Sequence, residues 1–131
     1  MAIVLDASSL IAKLTSGEDF AQQIADLTES DIVLAPDLII LETISGLYKM
    51  SLRKEITKNL FNATYPQVSK ENINFIPSQD LIADIEDLLG NISVYDASYV
   101  NLARKLNIPL CTSDKRLAKM ASHYCEVISY N

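Results

Sequence analysis

Four carboxylates carry the chemistry open to this chain. Asp6 ends the apolar run Met1–Leu5, and Asp114 follows a second apolar run, Ile108–Thr112. Both stand where a buried strand would run out into a crevice. Glu42 is embedded among Leu38, Ile39, Ile40, Leu41 and Ile44, and Asp96 opens an amphipathic helix. Each has a plain reading: a turn residue for Asp6, helix caps or first-turn residues for Asp96 and Asp114, a solvent-reaching side chain for Glu42. Together they have another. Two carboxylates about 4 Å apart repel by roughly 4 kcal/mol at an effective dielectric near 20, so four in one place call for protonation or a shared cation. All-oxygen ligands suit Mg²⁺ or Mn²⁺, and no His/Cys set for zinc is present. Such ions, singly or as a pair about 3.5–4 Å apart, serve phosphodiester chemistry.

The elements that would position these residues alternate along the chain. Ala2–Leu5, Ile32–Ala35, Ile73–Ile76, Ile108–Thr112 and Glu126–Ser129 are short apolar runs of the kind that form strands buried on both faces. Between them the pattern predicts helices over Ser8–Leu14, Asp19–Glu29, Leu38–Arg53, Ile56–Val68, Gln79–Leu89, Tyr95–Leu106 and Asp114–Ser122. Phe20, Ile24 and Leu27 share one face of the second helix; Gly17 and Gly90 are stops, Ser78 a cap. This alternation predicts an α/β fold, three-layer α/β/α around a parallel sheet, in one domain over residues 1–131. The stretch from Lys54 to Asn72 adds helix without a strand, and a protruding arm is expected there. Beside Glu42, the small residues Ser45 and Gly46 leave room for the carboxylate.

Bulk properties narrow the function. At 131 residues and 49% hydrophobic, the chain can build a full core without metals or disulfides. A net charge of −6 does not draw nucleic acid by its overall field, so any nucleic-acid role must rest on local basic patches or bound cations. Lys49, Arg53, Lys54 and Lys58 follow Glu42, and Lys115, Arg116 and Lys119 follow Asp114; they form either a solvated helix surface or a phosphate-contacting rim. No signal peptide or membrane span is visible, so a cytoplasmic location is expected. Cys111 and Cys125 are too few for a zinc motif and read as reduced thiols, a disulfide between neighbouring strands being the other option. His123 suits a helix C-terminus. Asp26, Asp31, Asp84, Glu86 and Asp87 read as a solvated face.

The motifs resemble those of the PIN-domain family, and within it the small VapC-type toxin ribonucleases. The resemblance rests on Ile3-Val4-Leu5-Asp6-Ala7-Ser8, Ala35-Pro36-Asp37-Leu38 leading to Glu42, Tyr95-Asp96-Ala97-Ser98-Tyr99 with Leu102-Ala103, and Pro109-Leu110-Cys111-Thr112-Ser113-Asp114 with Leu117 and Ala121. It runs through essentially the whole chain. It implies a parallel sheet of about five strands, in the order 3-2-1-4-5. It also implies Mg²⁺- or Mn²⁺-dependent RNA cleavage, with Asp6, Glu42, Asp96 and Asp114 at the family's acidic positions. Thr112 matches a hydroxyl often kept near the metal, and Ser8 is a second candidate of that kind. One departure stands out: where the family commonly has Asn three residues after the helix glutamate, this chain has Ser45, which reaches less far.

On that reading Asp6, Asp96 and Asp114 hold one ion, Glu42 holds a second or orients water, and RNA is hydrolysed without a covalent enzyme intermediate. The resemblance also implies a homodimer and a cognate antitoxin whose helix enters an apolar groove, with residues of Leu38–Leu52 and Ala21–Leu27 as candidates. An RNA-processing nuclease and a catalytically weak binding module of the same fold remain open. A phosphorelay receiver would need an acidic pair after strand one and an Asp after strand three, where the chain has Asp6-Ala7-Ser8 and Pro77-Ser78. An Asp-nucleophile phosphatase would need an Asp where Ser8 stands.

Overall fold

The computed structural model describes residues 1–130. Five parallel strands form one sheet: β1 (Ala2–Leu5), β2 (Ile32–Pro36), β3 (Asn74–Ile76), β4 (Leu110–Thr112) and β5 (Val127–Ser129). Their order is β3-β2-β1-β4-β5, as the resemblance implied. β1 is central, with Val4 in register with Leu34 on one side and Leu110 on the other. Successive strand residues point to opposite faces. Ile3, Val4 and Leu5 are nonetheless all buried, so both faces of the sheet are covered. That is why the run is apolar throughout rather than alternating.

Six α-helices surround the sheet: α1 (Ala7–Thr15), α2 (Asp19–Ser30), α3 (Ile39–Leu52), α4 (Lys58–Thr64), α5 (Val94–Leu106) and α6 (Lys115–Ala121). Local chemistry starts most of them. Asp6, Thr57, Ser93 and Asp114 each accept a backbone N–H of the first turn of α1, α4, α5 and α6. Asn107, in the left-handed region at φ 53°, ends α5. α5 packs over β1, β2 and β4, while α1 packs on α2, α3 and β4. Gly46 is the close approach of α3 to α1: a Cβ there would collide with the Ile11 side chain. The room beside Glu42 expected at this position is therefore taken by α1.

Two expected helices are corrected. The pattern over Gln79–Leu89 suggested a helix, but the chain makes one 3₁₀ turn, Ser78–Asp80, and then irregular turns. The reason is tertiary. The buried Asn101 amide donates to the carbonyls of Leu81 and Ala83 at 2.9 and 3.0 Å. Arg104 donates to the Asp84 carbonyl and holds the Asp87 carboxylate at 2.7 Å. Side chains of α5 thus satisfy polar groups that helix bonds would otherwise have to satisfy. Asp84 takes φ 61°, which a helix interior excludes. Ser78, expected as a cap, instead donates to Asp37 Oδ1 at 2.6 Å. Asp87 is accordingly an ion-pair partner as well as a surface acid.

The stretch read as one helix over Ile56–Val68 is α4 followed by a 3₁₀ turn, Tyr65–Lys70, with Pro66 at the change. Proline lacks the N–H that an α-helix would use there. Nor does this stretch form a free arm. It folds back on α3 and buries Ile56, Thr64 and Val68. Cys111 and Cys125 are both free thiols. Among the described residues no helix is long and apolar enough to cross a membrane.

Candidate active site

The carboxyl end of β1 delivers Asp6 into the sheet's central crevice, only 4% exposed. Its Oδ1 accepts the Ser9 N–H at 2.9 Å, which caps α1, and the Ser8 hydroxyl at 2.8 Å. Its Oδ2 accepts the Thr112 hydroxyl at 2.5 Å. The turn-residue and site readings of Asp6 are therefore compatible, because the cap occupies only one oxygen. Burial pushes this carboxyl up to about 6, and the three hydroxyls of Thr112, Ser8 and Ser9 and the Ser9 N–H pull against it.

Thr112, at the end of β4, also accepts the Asp114 N–H at 3.1 Å. Ser8 accepts the Ser113 N–H at 3.0 Å. Two loops more than a hundred residues apart in sequence are thereby stitched together at the adjacent ends of β1 and β4. Asp114 itself is exposed, and its Oδ1 caps α6 through the Leu117 N–H at 3.1 Å.

The helix-borne carboxylates approach from the other side. Asp96 is half-buried in the first turn of α5, its N–H bound by the capping Ser93 hydroxyl at 3.0 Å. Burial raises its carboxyl above the ordinary range, the charge of Asp114 adds to this, and Ser93 and Arg116 oppose it. Glu42, in the first turn of α3, is likewise raised by burial and by the charge of Asp96. Its Oε1 accepts the Tyr99 hydroxyl at 2.7 Å. Glu42, Asp96 and Asp114 thus form a chain of like charges that feel one another, and Asp6 adjoins it through Thr112.

A cleft of about 370 Å³ opens here, lined by Asp96, Asp114, Arg116, Ser93, Asn91 and Leu117, among others. Among the described residues no three His, Cys, Asp or Glu side chains converge as a ready-made metal cage. The donor chemistry nevertheless fits a hard divalent cation. The groups are carboxylates and hydroxyls, with no competing thiol or imidazole. Three of the carboxyls are raised, by burial in every case and by a neighbouring charge for Glu42 and Asp96, a cost that a cation reverses.

Of the expected basic residues, only Arg116 lines this cleft. Lys115 and Lys119 are exposed on α6. Lys49 is exposed on α3 and Arg53 is exposed at its C-cap, seven and eleven residues beyond Glu42, so they lie on its side of the helix at roughly 10 and 16 Å along the axis. None of the five belongs to either ion pair found among the described residues, Lys13–Glu71 and Arg104–Asp87. Ser45 is exposed, and His123 lies beyond the end of α6. Tyr99 and Ser93 were not given roles in the sequence reading. The available signal was spacing: Tyr99 follows Asp96 by three residues and so shares its helix face.

The fold and the acidic crevice define a protein of the PIN class, and a comparison with known families agrees: the PIN domain model matches residues 3–122, so this chain belongs to the PIN-domain family. It is 32% identical over 125 residues to Ribonuclease VapC1 of Mycobacterium tuberculosis, covering 95% of this chain and 94% of that protein. Among solved structures it resembles PAE2754 from Pyrobaculum aerophilum (TM-score 0.68, 22% identity, 98% of this chain and 92% of that one). It also resembles VapBC2 from Rickettsia felis bound to a promoter DNA fragment (TM-score 0.66, 13% identity, all of both chains).

Proposed function

We propose that this chain is a VapC-type toxin, an endoribonuclease that hydrolyses RNA phosphodiester bonds with the help of Mg²⁺ or Mn²⁺. The observation that carries this reading is that Asp96 feels the charge of Asp114, Glu42 feels that of Asp96, and Thr112 bonds both Asp6 and the Asp114 N–H, so that carboxylates from four separate segments are linked near the ends of β1 and β4. It is supported by 32% identity to a VapC ribonuclease along 95% of the chain.

Asp6, Asp96 and Asp114 would hold the ion, and Glu42 would hold a second or orient water. When bound, the cation offsets the phosphodiester charge and makes nearby water more acidic. The remaining work falls to the chain's own groups. Thr112 and Ser8 orient Asp6 and tie its loop to that of Asp114. Arg116 on the cleft wall would contact an RNA phosphate, and Lys115, Lys119, Lys49 and Arg53 would form an outer rim that offsets the chain's net charge of −6 as RNA approaches. Ser45, exposed and apart from this machinery, contributes little to it.

The protein acts in the cytoplasm as a single domain, as a homodimer, and is silenced by a cognate antitoxin. Leu41, Tyr48 and Leu52 make an exposed apolar stripe on α3, 74%, 52% and 64% accessible, that fits an amphipathic partner helix. Most of the other apolar residues of Leu38–Leu52 are core. An RNA-cleavage assay with Mg²⁺ or Mn²⁺, against EDTA controls, tests the activity. Asp6→Asn and Asp96→Asn are each expected to lower the rate by roughly 1000-fold; activity equal to wild type in both variants sinks the reading.

A further inference from the structure

Glu42 is held differently from the other carboxylates. Asp6 accepts the Ser9 N–H and the hydroxyls of Ser8 and Thr112, and Asp96 and Asp114 lie within capped helix turns. Glu42 instead rises from an apolar first turn of α3 whose Leu38 N-cap position supplies no side-chain cap. It is half-buried on α3 and close enough to Asp96 to feel its charge. Among the described residues its side chain has one hydrogen-bond partner, the Tyr99 hydroxyl at 2.7 Å.

Tyr99 is suited to hold it. The residue is 1% exposed and lies on α5, which packs against β1, β2 and β4, so the ring has little freedom to move. It stands one helical turn beyond Asp96, on the same face. A phenol is uncharged at neutral pH, and here its hydroxyl donates to Glu42 Oε1. It is therefore a neutral donor set among three negative groups, Glu42, Asp6 and Asp96. A buried tyrosine hydroxyl generally finds a partner. Here the partner chosen lies 57 residues away in sequence and ties α5 to α3.

We propose that Tyr99 is a positioning residue for Glu42: its hydroxyl occupies Oε1, fixes the carboxylate relative to Asp96, and leaves Oε2 available to a divalent cation. This rests on the metal-nuclease reading above. Outer partners of ligating carboxylates are worth about 10–100-fold in metal affinity or activity.

The test is Mn²⁺ titration, followed by the loss of the free-ion paramagnetic resonance signal, on wild type, Tyr99→Phe, Glu42→Gln and the double variant. Tyr99→Phe is expected to weaken Mn²⁺ binding about 10–100-fold and to lower kcat on RNA, with KM unchanged. In the Glu42→Gln background the same change is expected to do nothing further to Mn²⁺ binding. Tyr99→Phe that binds Mn²⁺ as wild type does, or that weakens it equally in both backgrounds, overturns the positioning role while leaving the nuclease reading intact. Wild-type protein that neither binds Mn²⁺ nor cleaves RNA overturns both. Should Tyr99→Phe fail to fold, Mg²⁺ is added instead to ¹³C-tyrosine-labelled wild type and Glu42→Gln. A Tyr99 Cζ resonance that shifts in the first and not in the second supports the role, and one blind to Mg²⁺ in both overturns it.

Discussion

The two walls of the crevice are built on different principles. The wall from the sheet, Asp6 with Thr112 and Ser8, is a closed knot of short hydrogen bonds between two adjacent strand ends. The wall from the helices, Glu42 and Asp96, has few direct bonds and much unrelieved charge; burial raises both carboxyls, and each feels another acid. The sheet wall is held by covalent proximity to β1 and β4, whose register leaves little play. The helix wall is held by packing and by one phenol. The lesson is that a rigid base can carry a strained rim, provided something offsets the like charges when the site is working.

The largest test of this contrast is electrostatic. The Asp6 carboxyl is raised in the folded chain from 3.8 to about 6. A raised carboxyl means that the folded state binds the proton more tightly than the unfolded state. The ionised form therefore costs stability, fully above about pH 6, and the cost fades as pH falls towards 4. The shift corresponds to about 3 kcal/mol. Denaturant unfolding in EDTA is expected to show wild type gaining stability relative to Asp6→Asn between pH 7 and pH 4. Glu42 and Asp96 are shifted in the same direction and add to the trend in wild type. A flat difference between the two proteins across that window breaks the account of a buried, charge-strained Asp6.

A smaller effect probes the knot itself. Thr112→Val keeps the shape but removes a buried hydroxyl that donates to Asp6 and accepts from the Asp114 N–H. We expect a loss of about 1–3 kcal/mol in stability, because that N–H is left without its partner. RNA cleavage should fall by roughly 10–100-fold. Unfolding curves and cleavage rates measured together check both; normal cleavage in a destabilised protein would separate the knot from the chemistry.

The smallest effect concerns the cleft mouth. Arg116 is exposed and lines the cleft beside Asp96 and Asp114. Arg116→Ala is expected to leave the fold unchanged, to raise KM for RNA several-fold with kcat little altered, and to reduce the salt slope of RNA binding by about one. A fall in kcat with KM unchanged would instead assign Arg116 to the transition state and sharpen the division between rim and reaction centre.

The strands and the start of most helices were legible because their signals are local, while the sheet order came only with the family resemblance. An apolar run bounded by Asp or Pro, or a Ser, Thr or Asp one residue before a periodic segment, carries its physics with it. The four carboxylates were legible for the same reason, as charges placed against apolar surroundings that do not easily tolerate them. The segment from Gln79 to Leu89 was not. Its apolar spacing suits a helix, but Asn101 and Arg104, donors some 20 residues onward, claim its carbonyls. No window around residue 85 contains that information.

The sequence by itself determined the class of the fold and which acids stand at strand ends and helix starts, since these follow from burial and backbone hydrogen bonding within short stretches. Tertiary structure alone decided that Tyr99 would reach Glu42, that Thr112 would bond both Asp6 and the loop of Asp114, and that Gly46 would serve the packing of α1 rather than make space for Glu42. Each of these is a contact across scores of residues or between separate helices, fixed by how helices dock on the sheet. A hydrogen bond of under 3 Å depends on that docking to a fraction of an ångström, a precision that residue type and spacing do not encode.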